Sequence, residues 1–427
     1  MKKRVGFLID SLTYFKLFGP VIEEALRSGL DVHLLLRDLP QVRKGPKGYQ
    51  WPDPAKIPAF SGGEPRVHQW RSDESLLTVC EGEGLEAVFS VWLFPRDYAL
   101  CRALRARGVR WVALQHGTEY LVQPAPTLLG PDATCMFSSF WIDRAVDLLG
   151  PSLKAEAAEG ASVETLRAKL EVTGAPELDA LKRLDPLAIR RKYSIPADRP
   201  VVVWLPHDYH RDDPWEMLVF RRNWHPRAIL DAVRGRRWDL LSGLFDGETH
   251  AQLVQSLRAF CDRNGAFLVV KSRIKDRPST WDRGVADLFT FDVGYHPPTI
   301  LEILAVADLC VHVLSVVVME TAFAGVPSLC LVPPPESSFI SNPNTGWRRT
   351  SDDFLGPETL WNFPGVSSVL SIRDAVKRLP AMRLEEFGMD PLRREEYVRR
   401  FVGPADGRSA ARVLRVALQA ARETVIA

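Results

Sequence analysis

The feature that most constrains this chain is an alternation, run through twice, of short unbroken apolar segments and longer segments of helical pattern. Val5-Gly-Phe-Leu-Ile9 leads into a helical stretch over 20–28 that closes at Gly29, and Asp31-Val-His-Leu-Leu-Leu36 follows. Apolar runs this short and this continuous suit strands buried on both faces of a parallel sheet, with the helices as crossovers. The series goes on with a strand at 87–91, a helix at 96–107 ended by Gly108, and a strand at 110–114. Next come a strand at 133–137 with a helix running through Leu149, and a last strand at 170–174.

Residues 183–200 interrupt it. Arg190-Arg191-Lys192-Tyr193, Ile195-Pro196 and Arg199-Pro200 form a polar, proline-marked connection. A second series then starts at Val201-Val-Val-Trp-Leu205. It predicts a helix near 249–263, a strand at 267–271, a helix at 299–307, a strand at 309–313, a helix at 317–324 and a strand at 328–332. The fold class is α/β, as two doubly wound domains facing one another: 1–185, 186–390, and a helical tail over 391–427 packed on them. A length of 427 residues accommodates this at about 100–200 residues per domain. In such sheets ligands sit beyond the carboxyl ends of the strands, so the loops after the strands are where chemistry is sought.

Composition removes several classes of function. With 55 Lys+Arg against 53 Asp+Glu, the chain lacks the basic field of a nucleic-acid binder. Its longest apolar stretch, 303–323, is broken by Asp308, His312 and Glu320, short of the ~20 uninterrupted residues of a membrane span. The opening Met-Lys-Lys-Arg has too few apolar residues after it for a secretory signal, so a cytoplasmic location is expected. Six cysteines without a CxxC pair read as small buried hydrophobes, not as a disulfide or metal framework. From 372 to 427 there are 12 Arg+Lys against 8 Asp+Glu. A helix there carries Arg408, Arg412, Arg415 and Arg422, either as a solvated face or as a peripheral contact with anionic lipid.

Four constellations can carry chemistry. Gln115-His116-Gly117-Thr118-Glu119 follows a strand. His116 there is either a general base oriented by a carboxylate or a turn histidine bonded to a carbonyl. Val172-Thr-Gly-Ala-Pro-Glu-Leu-Asp179 is a strand running into a turn, readable as structural punctuation. Pro206-His207-Asp208-Tyr209-His210-Arg211 gathers polar residues at a strand end. Its spacing is poor for zinc and better suited to phosphate or substrate contacts, so no metal site is assigned. Lys271-Ser272-Arg273 ends an apolar strand with a point charge and a planar fork, suited to phosphate. With it goes Ser315, which opens a helix containing Glu320. Amides at a helix start suit an anion, and a carboxylate inside the helix suits a ribose diol.

Taken in order, the strand before His116-Gly117-Thr118, the block 172–179, the block 307–327 and Phe401-Val-Gly-Pro-Ala-Asp406-Gly407-Arg408-Ser-Ala-Ala-Arg412 resemble the blocks of the CDP-glycerol glycerophosphotransferases and related surface-polysaccharide glycosyltransferases. They are also similar, more distantly, to the UDP-N-acetylglucosamine 2-epimerases. The resemblance implies the GT-B architecture, two facing Rossmann-like domains with a cleft between them. It implies a nucleotide-activated donor, UDP- or CDP-linked, as substrate, with no further cofactor. The diphosphate would meet Ser315, Lys271 and Arg273, with His207 and Arg211 on the donor side, and Glu320 would take the ribose. His116 would be the base, supported by Glu119 or Asp10, with Ser11, Gly117 and Thr118 on the side of a glycan or lipid-linked acceptor.

The sequence departs from the glycerophosphotransferase pattern at three places. Tyr120-Leu121 stands where a Lys is usual, Ser272-Arg273 replaces a His-Pro, and a single Ser315 replaces a Ser-Ser pair. These departures favour a sugar over a polyol phosphate as the group transferred. A nucleotide-sugar 2-epimerase and a donor-binding protein without turnover are the alternatives.

Overall fold

The computed structural model describes residues 2–38, 52–117, 126–153, 162–206, 234, 250–272, 280–291, 295–332 and 355–419. They form two compact units. One comprises Met1–Arg183, Gly294–Thr299 and Val398–Ala427, the other Leu184–Val293 and Ile300–Tyr397. The terminal segment, expected as one helical tail over 391–427, is thus divided. The helix Pro391–Tyr397 belongs to the second unit and the residues after it to the first.

The first unit is built on a seven-stranded parallel sheet in the order β3-β2-β1-β4-β5-β6-β7. The strands are β1 (Arg4–Ile9), β2 (Asp31–Arg37), β3 (Arg66–Trp70), β4 (Ala87–Val91), β5 (Arg110–Leu114), β6 (Ala133–Met136) and β7 (Leu170–Val172). One face packs Leu8, Leu35, Val88 and Trp111 against Leu76 and Cys80 of the helix Asp73–Gly82 and Leu100, Cys101 and Leu104 of the helix Tyr98–Ala106. On the other face Phe7 stacks on Phe89 at 4.7 Å and meets Phe18 of the helix Phe15–Arg27 edge-on. That helix begins five residues before the expected start at Pro20, which lies inside it.

Residues 398–419 complete this unit. The indole of Trp141 donates to the Phe401 carbonyl at 2.6 Å, and both Asp179 oxygens accept amides that open the helix Ser409–Leu418, from Ser409 at 3.1 Å and Ala410 at 2.8 Å. A carboxylate at a helix start satisfies orphan amides and suits the positive end of the helix dipole. Gly403 is required where it stands: its φ is +92°, and a Cβ there would lie 1.9 Å from the Phe137 carbonyl oxygen. Arg412, from the expected basic face, forks onto Asp406 and donates to the Thr173 carbonyl.

The second unit has a six-stranded parallel sheet, β10-β9-β8-β11-β12-β13. Its strands are β8 (Val201–Leu205), β9 (Phe267–Ser272), β10 (Leu288–Phe291), β11 (Leu309–Val313), β12 (Ser328–Val332) and β13 (Ser367–Ser371). Val202, Trp204, Leu268, Val270, Val311, Val313, Leu329 and Leu331 face a core closed by the helices His250–Arg263 and Ile372–Arg378. Because side chains alternate across a strand, Lys271 and His312 point to the opposite face. All six cysteines are buried and unpaired, as the sequence led one to expect. Among the described residues no helix is long and apolar enough to cross a membrane.

Candidate functional site

Each sheet has one place where neighbouring strands are followed by loops that leave in opposite directions. In the first it lies between β1 and β4, in the second between β8 and β11. Such switch points are where open parallel sheets bind ligands. Asp10 and Ser11 follow β1, and Leu314 and Ser315 follow β11.

At the first switch point the residues form a buried charge cluster. Arg37, at the end of β2, bonds Asp97 and reaches Asp10, with its Nε 3.3 Å from the carboxylate. Arg96 bonds the other Asp10 oxygen at 2.5 Å. The Arg37 guanidinium also lies 4.5 Å from the centroid of the Trp70 ring. Two carboxylates and two guanidinium groups balance, which is what allows Arg37, Asp10 and Asp97 to be buried. Burial holds the Asp10 carboxyl above its ordinary range, against the pull of Arg37 and Arg96. Ser11 accepts the Thr13 amide and so caps the short turn Leu12–Tyr14. After β4 the backbone enters the left-handed region at Trp92, φ +51°. Ser90 holds that turn by donating to the Trp92 carbonyl while accepting from the Trp111 indole at 2.8 Å.

At the second switch point β11 ends in the same way, with Leu314 at φ +38°. His312 is fully buried, and its Nδ1 accepts the Ser315 amide at 3.3 Å, which leaves the proton on Nε2. Burial pulls its pKa down to about 3, so the ring is neutral. The Ser315 hydroxyl accepts the Val317 amide at 3.3 Å, and its carbonyl accepts the Trp361 indole at 3.0 Å. The helix Val317–Ala324 carries Glu320, buried, in its first turn. Its far end is closed by Gly325 at φ +83° and by Arg394, which donates to the Ala322 and Phe323 carbonyls. Lys271, also buried, is the penultimate residue of β9, the neighbour of β8.

The structure therefore places Lys271 at the end of β9, Ser315 just after β11 and Glu320 in the helix that follows, and Asp10 and Ser11 just after β1. His116 and Gly117 follow β5, both half-buried. Gln115 fixes this loop, accepting the Phe137 amide at 2.9 Å and donating to the Gly117 carbonyl at 2.9 Å. Thr118, Glu119, His207, Arg211 and Arg273 lie outside the described residues. Sequence reasoning passed over Arg37, Arg96, Asp97 and His312. Arg37 carried a usable signal, an arginine ending an apolar strand, the pattern that singled out Lys271. Among the described residues one group could hold a metal ion, His33, His68 and Glu83, and it lies at the amino-terminal edge of the first sheet, away from these loops.

No protein-family model matches the sequence, and no curated protein is similar to it by sequence. Solved structures are similar in fold. The wall teichoic acid polymerase TagF aligns over 97% of this chain and 88% of its own, with TM-score 0.55 and 11% identity. The fold is GT-B. The UDP-GlcNAc 2-epimerase of Methanocaldococcus jannaschii aligns over 97% of this chain and 99% of its own, with TM-score 0.52 and 10% identity. An S. aureus MnaA–UDP co-structure covers 96% of this chain and 95% of its own, with TM-score 0.50 and 12% identity. The likeness to glycerophosphotransferases and epimerases expected from the sequence blocks is thus present in the architecture.

Proposed function

We propose that the protein is a nucleotide-sugar-dependent glycosyltransferase that moves a sugar to an envelope glycan or lipid-linked acceptor. The observation that carries this reading is a set of groups of the second unit at the ends of β9 and β11 and in the helix after β11. It comprises a buried cation at Lys271, a hydroxyl and helix start at Ser315, and a buried carboxylate at Glu320. A nucleoside diphosphate needs just these types. A cation and helix-start amides stabilise the charge that grows on the leaving diphosphate, and a carboxylate accepts from a ribose diol. The Ser315 hydroxyl accepts the Val317 amide and keeps its own proton to donate to a phosphate oxygen. His116, on the loop after β5, takes the acceptor's proton.

Epimerisation on the same scaffold is the second reading, supported by TM-scores to epimerases close to that to TagF. Incubation with UDP- and CDP-activated donors separates the two. Nucleotide released only when acceptor is present marks transfer, and an altered sugar on intact nucleotide marks epimerisation. Replacing His116 by Ala should abolish turnover and leave nucleotide affinity within about twofold by calorimetry, since this removes an interaction made in the transition state only. Unchanged turnover would remove His116 from the mechanism.

A further inference from the structure

A second group of ligand atoms lies at the other end of the first sheet. His33 is the third residue of β2, and His68 belongs to the edge strand β3, on the same face of the sheet. The rings stack with centroids 5.2 Å apart, and His33 Nδ1 is 3.0 Å from His68 Nε2. Glu83, at the end of the helix Asp73–Gly82, completes a group in which one ligand atom from each residue lies within 4.8 Å of the others.

The surroundings decide what this nitrogen pair is for. His33 is fully buried and presents its imidazole to the pair. Its Nε2 faces the Asp31 carboxylate at 3.6 Å, on the side of the ring away from His68, while Nδ1 faces His68 Nε2. A carboxylate beside one imidazole nitrogen, with the other nitrogen facing a second ligand, is the outer-shell arrangement of a metal-bound histidine. Arg66 holds one Glu83 oxygen at 3.0 Å and reaches Asp31 at 3.4 Å, which fixes both carboxylates. The carbonyl end of the helix Asp73–Gly82 also favours a cation there. Ligand nitrogens at about 2.0–2.1 Å from a tetrahedral zinc ion lie roughly 3.3 Å apart, close to the spacing found.

We propose that His33, His68 and Glu83 bind one divalent transition-metal ion of the zinc class, with the fourth position open to water. The site pins the edge strand β3 to β2 and to the helix that follows β3. It lies away from the carboxyl ends of the strands, so its role is structural and independent of the reaction proposed above.

The test uses the full chain, freed of metal with a chelator and titrated with Zn²⁺ by calorimetry, and with Co²⁺ for its visible absorption. One equivalent of zinc is expected, with Kd below about 1 µM, a rise in Tm and a tetrahedral cobalt spectrum. His68→Gln should weaken zinc binding at least about 100-fold, Glu83→Gln about 10–100-fold, and the outer-shell change Asp31→Asn about 10-fold. Circular dichroism identifies any variant that fails to fold, and the partly exposed Glu83→Gln then decides. No bound equivalent in the wild-type chain, or equal binding by the folded variants, overturns the proposal.

Discussion

Strand β4 of the first unit and β11 of the second are each five residues long. Each carries one polar side chain at its fourth position, Ser90 or His312, and each is followed by a bulky residue in the left-handed region, Trp92 or Leu314. Such a conformation costs about 1–3 kcal/mol in a residue with a Cβ, so something must hold it. In both strands the holder is the polar side chain two residues earlier, bonded to the backbone of the turn. What surrounds the two turns differs. In the first unit buried ion pairs around Arg37 knit the loops after β1, β2 and β4 together. In the second, neutral groups fix the turn, His312 and Ser315 with the Trp361 indole. The same backbone turn, held by a neutral side chain in both units, therefore stands beside a buried charge cluster in the first and beside Ser315 and the Trp361 indole in the second.

The contrast can be broken most severely at Arg37. Arg37→Leu leaves Asp10 and Asp97 buried with one partly exposed guanidinium between them and should cost about 3–5 kcal/mol in urea unfolding. A loss below 1 kcal/mol would show that the cluster does not hold the first unit together. Ser90→Ala strands the Trp111 indole and the Trp92 carbonyl and should cost about 2 kcal/mol, read from the same unfolding midpoints.

The smallest expected effect is one of pH. His312 has a folded pKa of about 3 against an unfolded value near 6.5, so its contribution is complete above 6.5 and is lost as pH falls toward 3. Between pH 8 and 5.5 the wild-type chain should lose about 1.4 kcal/mol that His312→Gln does not lose. Parallel pH slopes for the two chains would show that the histidine is not held neutral.

The strands legible in the sequence to the residue were β4, β5, β8, β11 and β12, each mostly apolar with at most one polar or charged residue, and the helix Val317–Ala324 was equally plain. The strands β3, β10 and β13 were not. They lie at or next to sheet edges and are partly exposed, so Arg66-Val-His-Gln-Trp70 and Ser367-Ser-Val-Leu-Ser371 lack the apolar run that betrays a central strand. The helix expected over 20–28 begins at Phe15 and holds Pro20 in its second turn, so the start was not legible from the sequence. Lys271 and Ser315 were visible as polar residues at or just beyond the ends of apolar strands, and Glu320 as the one carboxylate of an otherwise apolar helix. Arg37 obeyed the same rule and was passed over, because its partners Asp10 and Asp97 are 27 and 60 residues away in sequence and only the sheet order brings them together.

The return of residues 398–419 to the first unit also sets an order of assembly on the ribosome. Roughly 200 residues are made between Arg183 and Val398, which at 5–20 residues per second takes about 10–40 s. During that interval the second unit is being made, up to the helix Pro391–Tyr397, and the nascent first unit still lacks the backbone that Trp141 and Asp179 bind. The half of the protein that is synthesised first is thus the half that finishes folding last.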